Sequence, residues 1–508
     1  MSPASRFGRR LTAVIGALAT LSLLLAGCSG SQAEPGKLVI GVTTDANALF
    51  PWKATQFQSI AVLQNLYGTL TEFDKDLKVV PGLAESWDTS KDGRTLTFHL
   101  RSGVTFADGS AFDSADVKDS LDKIRDPKTA AVAASTLASV KKVTAPDADT
   151  VTLKLSGPDA ALPSNLASVN TAMLSSDDTE KQLAAKPNGT GPFAFDSRKP
   201  SQTLKLKKND AYWGEAPKLD SVEFRVIPDD DSILAAMQAG NVQFAVFDNP
   251  VVGQTAEDLG LNVAKTSQLS YHALQLNAKR DVLSDVNTRL AVQCAIDRSA
   301  VLDTAGFGEG KVTGPITSPD YLSDPDDRPC PTRDLDKSAE YLRKAGKDSL
   351  TLKTIVSQGE YATSVDEAQN LKSQLADANI ELDLEVLESG AFVDAWVGAD
   401  FDAAVALNGG REDPDGMYGR YFTSTGNLNK VAGYSSPTLD KLFAEGRSTS
   451  DLAKREEIYT KVGRELEDNA AWIWLFSGFT YTATTANVHG FTPLESGSLQ
   501  YLRTTSVD

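Results

Sequence analysis

Leu350-Thr-Leu-Lys-Thr-Ile-Val356, Ser364 through Leu375, and Ile380-Glu-Leu-Asp-Leu-Glu-Val386 form the stretch that decides the fold. The first segment is rich in β-branched residues and reads as a strand. Thr363 or Ser364 opens a helix through Leu371 and Leu375, and the third segment alternates apolar with acidic residues as a half-buried strand does. Strand, helix, strand with room for a crossover is the grammar of a parallel pair, so the fold class is α/β. Working outward, Lys37-Leu-Val-Ile-Gly-Val42 is another strand, and the loop Thr43 to Trp52 after it holds Asp45, Asn47 and Pro51. A helix follows from about Gln58 to Leu66. A hairpin is outlined by the alternating Thr95 to Leu100 behind the Lys91-Asp92-Gly93-Arg94 turn. Asp113 or Ser114 caps a helix carrying Val117, Leu121 and Ile124, which ends before Pro127, and Val151 to Leu155 is a further strand. Near the C-terminus, a helix from Asp451 to Glu467 places Ile458, Val462 and Leu466 at four-residue intervals, and Ala471 to Phe476 is an apolar strand containing Trp472 and Trp474. No short repeat emerges, which disfavours a solenoid or propeller.

The 508 residues carry 68 acids against 50 Lys and Arg, a formal charge of −18, with 41% apolar residues and three cysteines. Such a chain builds several domains with ample core, and its acidity repels nucleic-acid phosphates. Enzyme signatures are scarce. The glycines of Gly306-Phe-Gly308-Glu-Gly310-Lys311-Val312 lack a Walker spacing, and a helix-like segment, Arg289 to Leu302, precedes them where a dinucleotide fingerprint needs a strand. His99, His272 and His489 are far apart and lie in or near strands, where structural roles are the default. The acidic loop Arg411-Glu412-Asp413-Pro414-Asp415-Gly416 superficially resembles a calcium loop. Its register, however, puts Arg411 first and Phe422 twelfth, where carboxylates are needed. No metal and no cofactor is expected. Paired carboxylates for glycoside hydrolysis converge in space rather than in sequence, so spacing is silent on them.

Arg6, Arg9 and Arg10, followed by an apolar run from Leu11 to Ala26, read as a secretory signal over residues 1–27. A helix of that run spans about 24 Å, short of the roughly 30 Å hydrocarbon layer. Leu25-Ala-Gly-Cys28 resembles a lipobox, with Cys28 the lipid attachment and residues 28–36 a polar tether. Two or three acyl chains hold a protein firmly at a membrane. Outside the cell Cys294 and Cys330 either pair or stay as buried thiols, and three cysteines leave no thiolate set for a metal.

Pro81-Gly-Leu-Ala-Glu-Ser-Trp87, Asp92-Gly-Arg-Thr-Leu-Thr-Phe98 and Leu100-Arg-Ser-Gly-Val-Thr-Phe-Ala-Asp-Gly109 resemble the family 5 extracellular solute-binding proteins of peptide and nickel ABC importers. Gly189-Thr-Gly-Pro-Phe193, Asn209-Asp-Ala-Tyr-Trp213 and the segment Val286 to Arg298 continue the likeness in order. The resemblance implies a periplasmic-binding-protein-like two-lobed clamp of type II, cluster C, with an extra domain. Its expected division is domain I at 37–75, 190–270 and 485–508, domain II at 76–189, and domain III at 271–484, with two crossings at the hinge. It implies no catalysis. A lipid-anchored monomer outside the cytoplasmic membrane would close on a short peptide and deliver it to ABC permease subunits and their ATPases. An oligosaccharide, opine, glutathione or nickel chelate is the alternative cargo, and a sensory binding module without import is the alternative role.

The family's peptide receptors hold the ligand amine with an Asp shortly before an x-Asp-Pro unit. Gly410 occupies that place here, so a small shift in register makes Asp413 or Glu412 the amine partner, or else Arg411 meets an anionic group through its bidentate fork. Asn47, Trp52, Trp396, Tyr418 and Tyr421 are the other candidate ligand contacts, chosen because they lie at lobe edges; each serves equally well as core.

Overall fold

The computed structural model describes residues 34–46, 48–358, 361 and 363–508. Cys28 and Asn47 therefore lie outside the described residues, as does most of the expected tether. Residues 350–388 fold as the sequence predicts: Leu350–Gln358 pairs in parallel with Ile380–Glu388 across the helix Ser364–Ala376. Leu350–Gln358 also pairs in parallel with Ala403–Asn408, and beyond it Tyr271–Leu276, Trp472–Ser477 and Lys311–Val312 complete a six-stranded mixed sheet. Period two distributes its side chains. Ile473 and Leu475 join Leu274 and Leu276 in the core on one face, while Trp472 and Trp474 join Tyr271 and Ala273 on the other. With both faces covered, Tyr271–Leu276 and Trp472–Ser477 are buried at every position, which is why Trp472 to Phe476 reads as a continuous apolar run, while Tyr271–Leu276 buries His272 and Gln275 among its apolar residues.

A second, seven-stranded sheet has Lys37–Val42 near its centre, parallel to both Ser221–Val226 and Phe244–Phe247. A four-stranded antiparallel sheet contains the predicted hairpin, Ala84–Thr89 with Thr95–Leu100, and adds Thr150–Leu155 and Val140–Asp147. One hydrophobic cluster unites these two sheets, with Leu38, Ile40 and Phe224 from the larger and Phe98, Val151 and Leu153 from the smaller. They form one lobe, and the six-stranded sheet with its helices forms the other. Asp113 caps the helix Ser114–Arg125 through a reciprocal capping box with Asp116, fixing the helix that lies on the small sheet.

The chain passes between the lobes twice. Asn262–Ser267 leaves the seven-stranded sheet and residues 268–270 lead into Tyr271; Trp472–Ser477 returns through Gly478 into Phe479–Thr484. The two passages lie side by side, Gln268 donating its backbone N–H to the Gly478 carbonyl at 3.1 Å. Two expected boundaries shift accordingly. Phe479–Thr484 belongs to the seven-stranded sheet, so the return comes at 478 rather than 484, where Ser477-Gly478 breaks the apolar run. The boundary expected at 75 falls in the turn of a small ribbon, Thr71–Phe73 with Val79–Pro81. The first and last described segments meet in the first lobe, where Gly36 donates to the Val507 carbonyl at 3.1 Å. Cys294 and Cys330 are joined as a disulfide.

Candidate functional site

In open α/β sheets ligands gather beyond the carboxyl ends of parallel strands. Here the loop 409–413 leaves the end of Ala403–Asn408 beside the hinge and leads into the helix Pro414–Phe422. Gly410 packs so closely on the hinge that a Cβ built there would overlap the Leu269 carbonyl. The position expected from the resemblance to hold an amine-binding Asp is thus closed to any side chain.

Asp413 is committed elsewhere. It is 6% exposed, caps Pro414–Phe422 by accepting from the Asp415 N–H at 3.0 Å, and forms a bidentate pair with Arg455 at 2.8 and 3.0 Å. Arg455 also donates to the Tyr321 and Tyr459 hydroxyls and lies over both rings. An Asp so enclosed is engaged by Arg455 and by the start of its own helix.

Arg411 and Glu412 differ from it. Ser318 holds the Arg411 carbonyl at 2.6 Å, but among the described residues the guanidinium has neither a hydrogen-bond acceptor nor an ion-pair partner. Burial and then the neighbouring Arg420 push its pKa down, while Glu412 and Tyr421 act the other way from longer range. Glu412 is likewise without a paired cation; burial raises its pKa, Asp413 adds to the rise, and Arg411 opposes it. Arg420 lies over the Tyr421 ring at 5.3 Å, and its Nε is buried without a partner. Sequence reading passed over Arg420. The signal was a lone cation inside the otherwise apolar stretch Met417 to Phe422.

The aromatic candidates separate into wall and core. Trp396 is half-buried and donates to Gln275 Oε1 at 2.7 Å, while Gln275 in turn donates to Asn408 Oδ1 at 2.8 Å, a network that fixes the indole beside the strand ends. Tyr421 meets Trp396 edge-on at 6.3 Å but is 4% exposed and packs on Trp472. Tyr418 is 1% exposed and stacked on Tyr271, and burial raises its phenol pKa. Trp52 is buried in the first lobe, its indole N–H held by the Ala172 carbonyl at 2.9 Å, so it packs between loops rather than facing the other lobe. Of the candidates, Arg411 interacts with Glu412 and Tyr421, and Tyr421 in turn meets Trp396. The structure places Asp413, Tyr418 and Trp52 in packing and pairing roles.

The three histidines stand apart. His272 lies 2.8 Å from Glu367 and stacked on Phe476, while His99 and His489 pair with Asp88 and Asp508 at the surface. Among the described residues no group of three or more His, Cys, Asp or Glu is arranged to hold a metal, and no helix is long and apolar enough to cross a membrane.

Comparison with known proteins agrees with this architecture. Residues 78–429 match the family described as bacterial extracellular solute-binding proteins, family 5 Middle. The glutathione-binding protein GsiB of Escherichia coli K12 is 27% identical over 501 residues, covering 94% of this chain and 95% of that one. Its counterpart in Pectobacterium atrosepticum is 28% identical over 479 residues, covering 89% and 91%. Among solved structures, the binding protein AgaA of A. tumefacien R10 in complex with agropinic acid superposes with a TM-score of 0.81 at 25% identity, over 93% of this chain and 99% of that one. The oligopeptide-binding protein AppA of Bacillus subtilis, in complex with a nonapeptide, gives 0.78 at 26% identity, over 94% and 100%.

Proposed function

Because the chain belongs to the bacterial extracellular solute-binding proteins of family 5, non-catalytic receptors of ABC importers, we propose that its cargo is a short peptide or similarly sized polar solute whose anionic group docks on Arg411. The observation that carries this reading is the unpaired, partly desolvated Arg411 beside Arg420. An uncompensated buried cation is costly, and a carboxylate entering the site would relieve that cost through charge-assisted hydrogen bonds. Glu412 then serves the ligand amine in place of the closed position at 410 and the engaged Asp413, and Trp396 supplies an apolar wall.

An acid-bearing cargo such as glutathione or an opine suits this arrangement better than a neutral oligosaccharide, which offers nothing to Arg411. The names of the GsiB relatives and the agropinic acid bound to AgaA point in the same direction. The receptor would be held outside the cell by lipid on Cys28, close on its cargo, and present the closed form to the permease and its ATPases.

Titration calorimetry with di- and tripeptides, glutathione, an opine and neutral oligosaccharides tests the reading. Binding is expected for a carboxylate-bearing member, and Arg411→Gln should weaken it by about 1.5–3 kcal/mol, the worth of a hydrogen bond to a charged group. Preference for a neutral sugar, or undiminished affinity in Arg411→Gln, would overturn it.

A further inference from the structure

A second group of charges lies where the lobes touch, bordering Arg411, whose Cδ would stand 3.5 Å from a Cβ on Gly416. Asp159 and Asn165 belong to the loop and short helix that follow the strand Thr150–Leu155 of the first lobe. The Ala160 N–H next to Asp159 donates to the Arg447 carbonyl of the second lobe at 2.9 Å, and a Cβ on Gly416 would stand 2.9 Å from Asn165 Oδ1. On the second-lobe side Arg447 donates to Asp415 Oδ1 at 2.8 Å, and Asp413 is paired with Arg455. Asp159 is held through Oδ2 by the Ser139 hydroxyl at 2.5 Å, whereas its Oδ1 is buried with no partner. Three carboxyl groups therefore face two guanidinium groups, with the Tyr459 and Tyr321 phenols around them.

We propose that Asp159, Asp415 and Arg447 form a proton-linked clasp: closing the lobes draws a proton into this cluster, so that mild acid favours the closed state. The unpaired Oδ1 of Asp159 is the mark of a carboxyl that is better neutral than charged in this position. Asp415 behaves consistently: burial pushes its pKa up to about 7, opposed by Arg447 and reinforced by Asp413 and Asp159. Asp159 is raised by burial as well, opposed by the Ser139 hydrogen bond, Arg447 and, more weakly, the Ala161 backbone N–H, and reinforced by Asp413.

A carboxyl returned to water takes the ordinary value of 3.8, and parting the lobes removes the opposite lobe from beside both carboxyls. The sign follows from linkage: a group whose pKa is raised in the closed form binds a proton on closing at any pH between the two values. Closure therefore strengthens as pH falls from about 7 toward 4 and is indifferent to pH above that window, where both forms are ionised. The clasp involves no cargo contact and holds whichever solute is carried.

Small-angle scattering of the ligand-free Cys28→Ala chain between pH 8 and pH 5 measures the closed fraction directly. The closed-to-open ratio is expected to rise toward lower pH with a slope of at most about tenfold per unit for each proton taken up. Asp159→Asn with Asp415→Asn, isosteric and permanently neutral, should be more closed at pH 8 and flat across the range. A wild-type closed fraction that does not change with pH would overturn the proposal, as would an unchanged pH response in the double Asn variant. The two single Asn variants divide the response between the carboxyls; if neither reduces it, the proposal also fails.

Discussion

Arg411 and Asp413 stand two residues apart on one loop, yet their substitutions should have opposite effects. Asp413 is enclosed by Arg455 and the start of Pro414–Phe422, so Asp413→Asn leaves a buried guanidinium without its counter-charge. Breaking such a pair costs about 3–5 kcal/mol. Urea denaturation of the Asn variant should show that loss whether or not cargo is present. Among the described residues the Arg411 guanidinium has no partner to lose, so Arg411→Gln should leave the urea midpoint unchanged or raise it while removing affinity. A variant that loses both stability and binding would mean that Arg411 holds the loop rather than the solute. The acidic stretch alone offered Arg411 as an anion contact and Asp413 as an amine contact, and gave no sign of the enclosure of Asp413. Sequence shows that a carboxylate and a cation share a loop, but the partner that claims Asp413 lies 42 positions away in another helix.

At the level of elements, local signals located starts better than ends. Asp113 and Asp451 cap helices as their spacing predicts, and Lys37–Val42 runs over the predicted residues. The helix expected from Arg289 to Leu302 is in fact two, Val286–Cys294 and Arg298–Ala305, because Asp297 turns out of the first and caps the second through the Ala300 N–H. Trp52 shows why wall and core are hard to separate by pattern: the carbonyl that holds its indole is 120 residues distant. The disulfide joins the end of Val286–Cys294 to the loop before Leu335–Lys344, closing a span of 36 residues. Replacing Cys330 with Ser should cost about 2–5 kcal/mol. A reducing agent should lower the wild-type melting temperature and leave that of Cys330→Ser unaltered.

For the whole molecule, acidity and attachment act against each other. Removal of the expected signal takes three arginines and no acid, leaving a still more acidic body beside anionic lipid headgroups. Attachment then depends on Cys28: Cys28→Ala should appear in the soluble fraction after cell fractionation, and continued membrane retention would refute the lipobox reading. The α/β class and the order of the family segments were legible because they rest on local period and turn chemistry. The approach of Trp396 to Tyr421 and of Ala160 to Arg447 was not, since the first depends on packing within one lobe and the second on how two lobes meet.

The two adjacent passages at Gln268 and Gly478 have a mechanical consequence. The second lobe is inserted into the first, and both ends of the described chain sit together in the first lobe at Gly36 and Val507. A lipid on Cys28 would therefore pull on one lobe alone and would not load the two passages that join it to the other. Drag from a surface would then reorient the protein as a unit without prying the lobes apart.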